Sequence, residues 1–162
     1  MDVVVAHAPC NVRHSAGDPD SENRVWWRKL VREVRKAHNP EVGLIWMIDA
    51  NGKVGSHECN AIGCLAAEKE NDNGLTLREA LMDFKMFLPA TFGVGAGGEN
   101  DQWTWTSSVG TTHRLDYIAL SEKFRNNDVK AYVETSVDLA TVRPSARGLR
   151  LHSESRARWQ VV

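Results

Sequence analysis

The sequence predicts an α+β domain, and three observations carry the prediction. Two short apolar runs, Met1 to Ala6 and Leu44 to Ile48, read as strands, the second buried on both faces. Between and after them, Val25, Trp26, Leu30, Val31 and Val34, then Leu75, Leu77, Leu81 and Phe84, recur at helical spacing. Trp103-Thr104-Trp105-Thr106 alternates at period two, and after a turn at Gly110 the segment Arg114 to Leu120 reads as the second arm of a hairpin.

The composition agrees with one ordinary globular unit. A chain of 162 residues is about one domain, and 42% apolar with 25% charged residues excludes disorder, collagen and coiled coil. Lys plus Arg is 20 against 21 Asp plus Glu, so no global basic field announces nucleic acid, although a local patch is allowed. Val3-Val4-Val5-Ala6 is too short for a membrane span or a signal-peptide core, so the chain reads as soluble and intracellular, with no membrane partner. Cys10, Cys59 and Cys64 are an odd set without secretory context, which argues against a disulfide framework. His57, Cys59 and Cys64 raise zinc, but their spacing matches no closed four-ligand set.

Taken in order, the first strand ends in His7-Ala8-Pro9, where Pro9 stops the ladder and His7 becomes a site candidate. A polar loop from Asn11 to Asp20 precedes the first helix, which runs to Ala37 and carries Arg28, Lys29, Arg32, Arg35 and Lys36 on its polar face. Such a face is either solvated or a nucleic-acid contact. His38-Asn39-Pro40 ends it, and the run Leu44 to Ile48 then stops abruptly in Asp49-Ala50-Asn51-Gly52. A carboxylate at a strand end can orient or deprotonate water, and a neighbouring amide can donate to an oxyanion, although the same four residues also suit a plain turn. The loop from Lys53 to Asn73 is long enough to be functional. Phe87 to Phe92 reads as extended, Asp116 as a mid-strand acid in need of a partner, Val129 to Val137 as a strand and Gly148 to Leu151 as a further one. The tail from His152 to Arg158 is polar and expected to fray.

Five ordered motifs together resemble a known family. Strand-His-Ala-Pro, strand-Asp-Ala-Asn, Asn71-Asp72-Asn73-Gly74, Trp103-Thr104-Trp105 and Arg114-Leu115-Asp116-Tyr117-Ile118 resemble, in order and spacing, the endonuclease/exonuclease/phosphatase proteins, above all the endonuclease domains of non-LTR retrotransposons. The resemblance implies a DNase I-like fold, a four-layer α/β sandwich, here truncated with incomplete sheets. It implies a partial domain over residues 1–152 followed by a polar tail at 153–162, a magnesium-dependent phosphodiesterase or nuclease chemistry, and DNA as partner.

Carried over by residue, the resemblance implies that Asp49 positions or deprotonates the attacking water and Asn51 stabilises the charged phosphorane. His7 stands where relatives contact the phosphate or protonate the leaving oxygen, and Asn73 resembles a loop amide near the scissile phosphate. Asp116 resembles the acid that orients a catalytic His. Asp49 and Asn51 are also the magnesium ligands it implies, as an incomplete site. The strands ending at His7 and Asn51 are therefore expected to be neighbours, opening on one cleft also reached by Asp116.

Two departures weigh against activity. Where relatives carry Asp-His after the last strand, this chain has Ser145 and Ala146, which neither ligate magnesium well nor shuttle a proton. His152 lies six residues further on, roughly 20 Å along a strand. Relatives also begin with strands whose Asn and Glu bind metal, and no counterpart stands in this sequence. Two functional classes follow: a phosphodiesterase, impaired in this chain, and a non-catalytic remnant that contacts nucleic acid or a protein. Without the Asp-His pair, Asp116 is expected to turn to Arg114, His113, His7 or water.

Overall fold

The computed structural model describes residues 1–10, 21–92, 102–126, 129, 131–134 and 158–161. The β-branched start of the chain forms β1, Asp2–His7, and the helical period that follows forms α1, Glu22–Ala37. Ser21 caps α1 by accepting from the Arg24 N–H at 3.4 Å, while Glu22 in its first turn and Arg35 and Lys36 in its last complement the helix dipole. After His38-Asn39-Pro40 the apolar run forms β2, Leu44–Asp49.

β1 and β2 pair in parallel from Asp2 opposite Leu44 to His7 opposite Asp49, so α1 is the crossover of a βαβ unit. β6, Asp116–Ser121, pairs antiparallel with the other edge of β2, placing Asp49 opposite Asp116 and Ile45 opposite Leu120. β3, Met86–Phe87, adds to β6 and completes a mixed sheet in the order β1-β2-β6-β3. Two small two-stranded units stand beside it: β4, Trp105–Thr106, with β5, Thr112–His113, and β7, Ala131–Glu134, with β8, Arg158–Val161.

Period two divides the sheet faces. Leu44, Trp46, Ile48, Tyr117 and Ala119 meet Trp27 and Val34 of α1 and Leu77 and Leu81 of α2, Asp72–Asp83, in the main core. Each of the buried Leu, Ile and Val side chains among them contributes about 1.5–3 kcal/mol. On the other face Ile118 and Leu120 are covered by Phe87, Phe92 and Phe124, whereas Val3, Val5 and Met47 of the β1–β2 half lie exposed. Among the described residues the sheet is thus sandwiched where β6 and β3 run and uncovered where β1 runs, in keeping with the incomplete sheets expected.

Several local expectations are corrected. The Asn71 side chain accepts from the Gly74 N–H at 2.8 Å, so α2 starts at Asp72 and absorbs the Asn-Gly pair expected to precede it. After β3, Pro89 opens a short 3₁₀ turn over Pro89–Thr91, where an extended segment was expected. The hairpin arm opposite Trp105 and Thr106 is Thr112–His113, because the Thr104 hydroxyl accepts from both Leu115 N–H at 3.0 Å and Asp116 N–H at 3.1 Å and separates that arm from β6. Asp116 accordingly opens β6 instead of sitting within it. Arg158, where the segment expected to fray ends, instead opens β8 and pairs with Glu134 of β7. The loop from Lys53 to Asn73 contributes to the main core through buried Val54, Ala61 and Ile62. The strand expected at Gly148 to Leu151 lies outside the described residues.

Candidate functional site

The C-terminal end of β2 is where the candidates converge. Registered pairing sets His7, Asp49 and Asp116 in one row across β1, β2 and β6, on the same sheet face and spanning two strand spacings, about 10 Å. His7 Nε2 lies 3.1 Å from Asp49 Oδ2, with 70% of the His7 side chain and 38% of the Asp49 side chain exposed, so the pair is open to a ligand. The backbone then turns: Asn51 takes φ 46°, a left-handed conformation that Asn tolerates better than most side chains, and its N–H donates to Asp49 Oδ1 at 3.2 Å. Its side-chain amide donates to the Ala8 carbonyl at 2.7 Å, which locks the end of β1 to the end of β2. One amide hydrogen and the amide oxygen remain for other use.

Beneath this turn Asn73 is wholly buried. Its oxygen accepts from Trp27 Nε1 at 3.1 Å, and its amide donates to Pro9 O at 3.0 Å and Asn51 O at 3.4 Å. A side chain spent in this way positions the Asn51 turn from below and does not face the open side. Asn71, which opens the Asn71-Asp72-Asn73-Gly74 motif and carried no assigned role in it, donates to Asn51 O at 3.3 Å and accepts from Lys53 N–H at 3.0 Å. Tyr117 adds a third support by donating to Gly52 O at 2.8 Å; burial pushes its phenol far above the usual range, so it stays a donor. Asn71 carried a legible signal, an N-cap residue before an apolar period.

A second polar group was not foreseen. Glu68 accepts from His113 Nδ1 at 2.6 Å and from Arg114 N–H at 3.0 Å, and Lys53 Nζ stands 3.3 Å from His113 Nε2. Trp105 stacks on the His113 ring. Arg114 is buried and gives its guanidinium to Gln102 O at 2.9 Å, Gln102 Oε1 at 2.7 Å and Leu65 O at 3.3 Å, while burial lowers its pKa. Arg114 thus serves Gln102 and Leu65, His113 lies against Glu68, and His7 lies against Asp49. Ser145, Ala146 and His152 lie outside the described residues.

The residues present were tested against magnesium. This ion takes near-octahedral oxygen coordination, usually from one or two carboxylates with waters and substrate phosphates. Among the described residues no group of three His, Cys, Asp or Glu side chains converges as a metal site, the trio His57, Cys59 and Cys64 included. Asp49, with both carboxylate oxygens already engaged, and the side chain of Asn51, whose amide serves Ala8, do not fix the ion by themselves.

No protein-family model and no curated protein matches the sequence. Among solved structures, the chain is similar to the 3'-5' exonuclease NExo from Neisseria meningitidis, with TM-score 0.54 and 15% identity over 96% of this chain and 59% of that one. It also matches the endonuclease domain of TRAS1, a telomere-specific non-LTR retrotransposon, with TM-score 0.46 and 19% identity over 74% of this chain and 48% of that one. The chain thus spans about half to three-fifths of the length of these structures. A βαβ unit continued by antiparallel β6 and β3, helices on one face and a polar row at the end of β2 give the chain a DNase I-like α+β fold of the endonuclease/exonuclease/phosphatase kind.

Proposed function

We propose that the end of β2 is a phosphodiester-binding site of nuclease type, retained in a chain whose hydrolytic power is impaired. The observation that supports it is the row His7, Asp49 and Asp116, with Asn51 held beside it by Ala8. In this reading His7 and Asp49 form the proton-handling pair facing the ligand, and the free Asn51 amide hydrogen donates to a phosphate oxygen. Nucleic acid, DNA first, is the substrate class. Impairment follows from Ser145 and Ala146, which cannot move a proton, and from the poor fit to magnesium. Loss of one proton-handling group typically forfeits about 10²- to 10⁴-fold in rate.

The test is cleavage of supercoiled plasmid and of an abasic-site duplex with magnesium or manganese, set beside an Asp49→Ala, Asn51→Ala double variant. Parent and variant are expected to stay at the buffer level, while the parent retains weak protection of His7 on adding duplex, read by NMR. Metal-dependent cleavage by the parent that the variant abolishes would overturn the impairment, and a His7 resonance indifferent to duplex would overturn the site.

A further inference from the structure

The outward face of α1 is not a mixed solvated surface. The helix holds six cations, Arg24, Arg28, Lys29, Arg32, Arg35 and Lys36, against Glu22 and Glu33, a net +4 in a chain of net −1. At about 100° per residue the six cations fall within an arc of roughly 140°, with both acids on one border of it. Solvated helix faces usually alternate signs along the surface, and this one does not. Local pairing reduces this excess without cancelling it: Glu33 is shared between Arg32 at 3.0 Å and Lys36 at 3.4 Å, Arg35 meets Asp83 of α2, and Arg28 has an interaction of its own. The carboxyl of Glu33 is correspondingly held below its usual range, chiefly by the Arg32 hydrogen bond.

Three polyanions could meet such an arc, and the packing chooses among them. A membrane surface needs the apolar face of the helix, but Trp27 and Val34 are buried in the core. A protein partner needs an apolar centre to its interface, and on this arc the exposed apolar residue is Val25 alone among the described residues. A nucleic-acid backbone needs only cations. Arg28, Arg32 and Lys36 climb the helix in steps of about 6 Å, comparable with the separation of successive phosphates along one strand.

We infer that the cationic arc of α1 is a binding surface for the phosphate backbone of duplex nucleic acid, separate from the row at the end of β2. The two are on opposite sides of the sheet. α1 covers the inner face and the row opens on the outer one. The helix runs antiparallel to β1, since His38 at its end binds Asp2 at 2.8 Å and Trp27 in its first half reaches the Asn73 that holds Pro9. The arc therefore starts beside the site end of the sheet and leads away from it.

The experiment is fluorescence anisotropy of a labelled duplex of about 16 base pairs from about 50 to 200 mM salt, using the whole chain. Arg28→Gln, Lys29→Gln, Arg32→Gln and Lys36→Gln together are expected to lower the slope of log affinity against log salt by about 3 to 4, near 0.9 for each phosphate no longer neutralised. Affinity at the lowest salt should fall at least tenfold. Lys69→Gln with Lys123→Gln, also exposed cations, should change the slope by less than one, and circular dichroism should find α1 intact in every variant. Added to Asp49→Ala with Asn51→Ala, the four substitutions should lower the slope by the same 3 to 4 as in the parent, which separates this surface from the proposed site. No duplex binding by the parent at the lowest salt, or equal slopes for parent and fourfold variant, would overturn the inference. So would a fourfold variant that loses only binding to phosphatidylserine vesicles.

Discussion

Trp27 donates its indole N–H to the buried oxygen of Asn73 at 3.1 Å, tying the first helix to the second directly under the Asn51 turn. The other fully buried tryptophan, Trp46, has no acceptor for its indole N–H among the described residues. Phenylalanine at the two positions should separate these cases. Trp27→Phe strands a buried amide oxygen and should cost about 3 kcal/mol, combining lost volume with the unmet acceptor. Trp46→Phe removes an orphaned donor along with its volume and should cost less than about 1.5 kcal/mol. Urea denaturation of both variants measures the difference, and equal costs would contradict it.

Gly74 lies where the start of α2 crosses the chain leaving β2. A Cβ at this position would overlap the Lys53 carbonyl oxygen, which is backbone and cannot step aside as a side chain could. Gly74→Ala should therefore destabilise by about 3 kcal/mol, although alanine is the better helix former. A melting temperature at or above the parent's would show the crossing to be looser than described.

Glu68 sets the tautomer of His113. With Nδ1 bound to the carboxylate and Nε2 facing the Lys53 ammonium, the neutral ring should carry its proton on Nδ1. Long-range ¹⁵N correlation should show that form in the parent and a shift towards the Nε2-protonated form in Glu68→Ala. The same variant leaves the Arg114 N–H without its 3.0 Å acceptor and should lose about 2–3 kcal/mol.

Tyr117 gives the stability an alkaline limb. Its hydroxyl bridges Gly52 O at 2.8 Å and Arg114 O at 2.7 Å, and burial raises the phenol pKa in the folded chain. An unfolded tyrosine releases its proton near about pH 10. Below that pH the folded advantage is whole; above it the unfolded state binds fewer protons and stability falls as pH rises. Tyr117→Phe should cost about 1–3 kcal/mol at neutral pH and flatten the decline between about pH 9 and 11. An unchanged decline would place the alkaline sensitivity elsewhere.

What could be read from the residues was whatever period and strand-end chemistry express. The runs at Val3 to Ala6 and Leu44 to Ile48 became the parallel pair, and His7, Asp49 and Asp116 share one register row, because apolar runs that stop abruptly mark the end of a sheet. The ends of elements were less legible. The start of α2 depends on where the Asn71 side chain points, and the break before β6 depends on one Thr104 hydroxyl serving two N–H groups. Neither leaves a period in the sequence. Asn73 could be recognised by its motif, but its burial beneath the turn follows from Trp27, 46 residues away. The group of Glu68, Lys53 and His113 is non-local for the same reason.

Among the described residues, the exposed side of β1 is the place where self-association would begin. β1 is an edge of the four-stranded sheet, and its six residues carry neither proline nor lysine, with Val3 and Val5 turned to solvent at 51% and 76% exposure. Strand edges of this kind are templates for further strands, and within β1 the only Asp, Glu, Lys or Arg is Asp2, whose carboxylate is bound to His38. Colloidal stability should accordingly depend on concentration far more than on temperature. Val5→Lys, at a side chain 76% exposed, would be the smallest change to keep concentrated solutions clear.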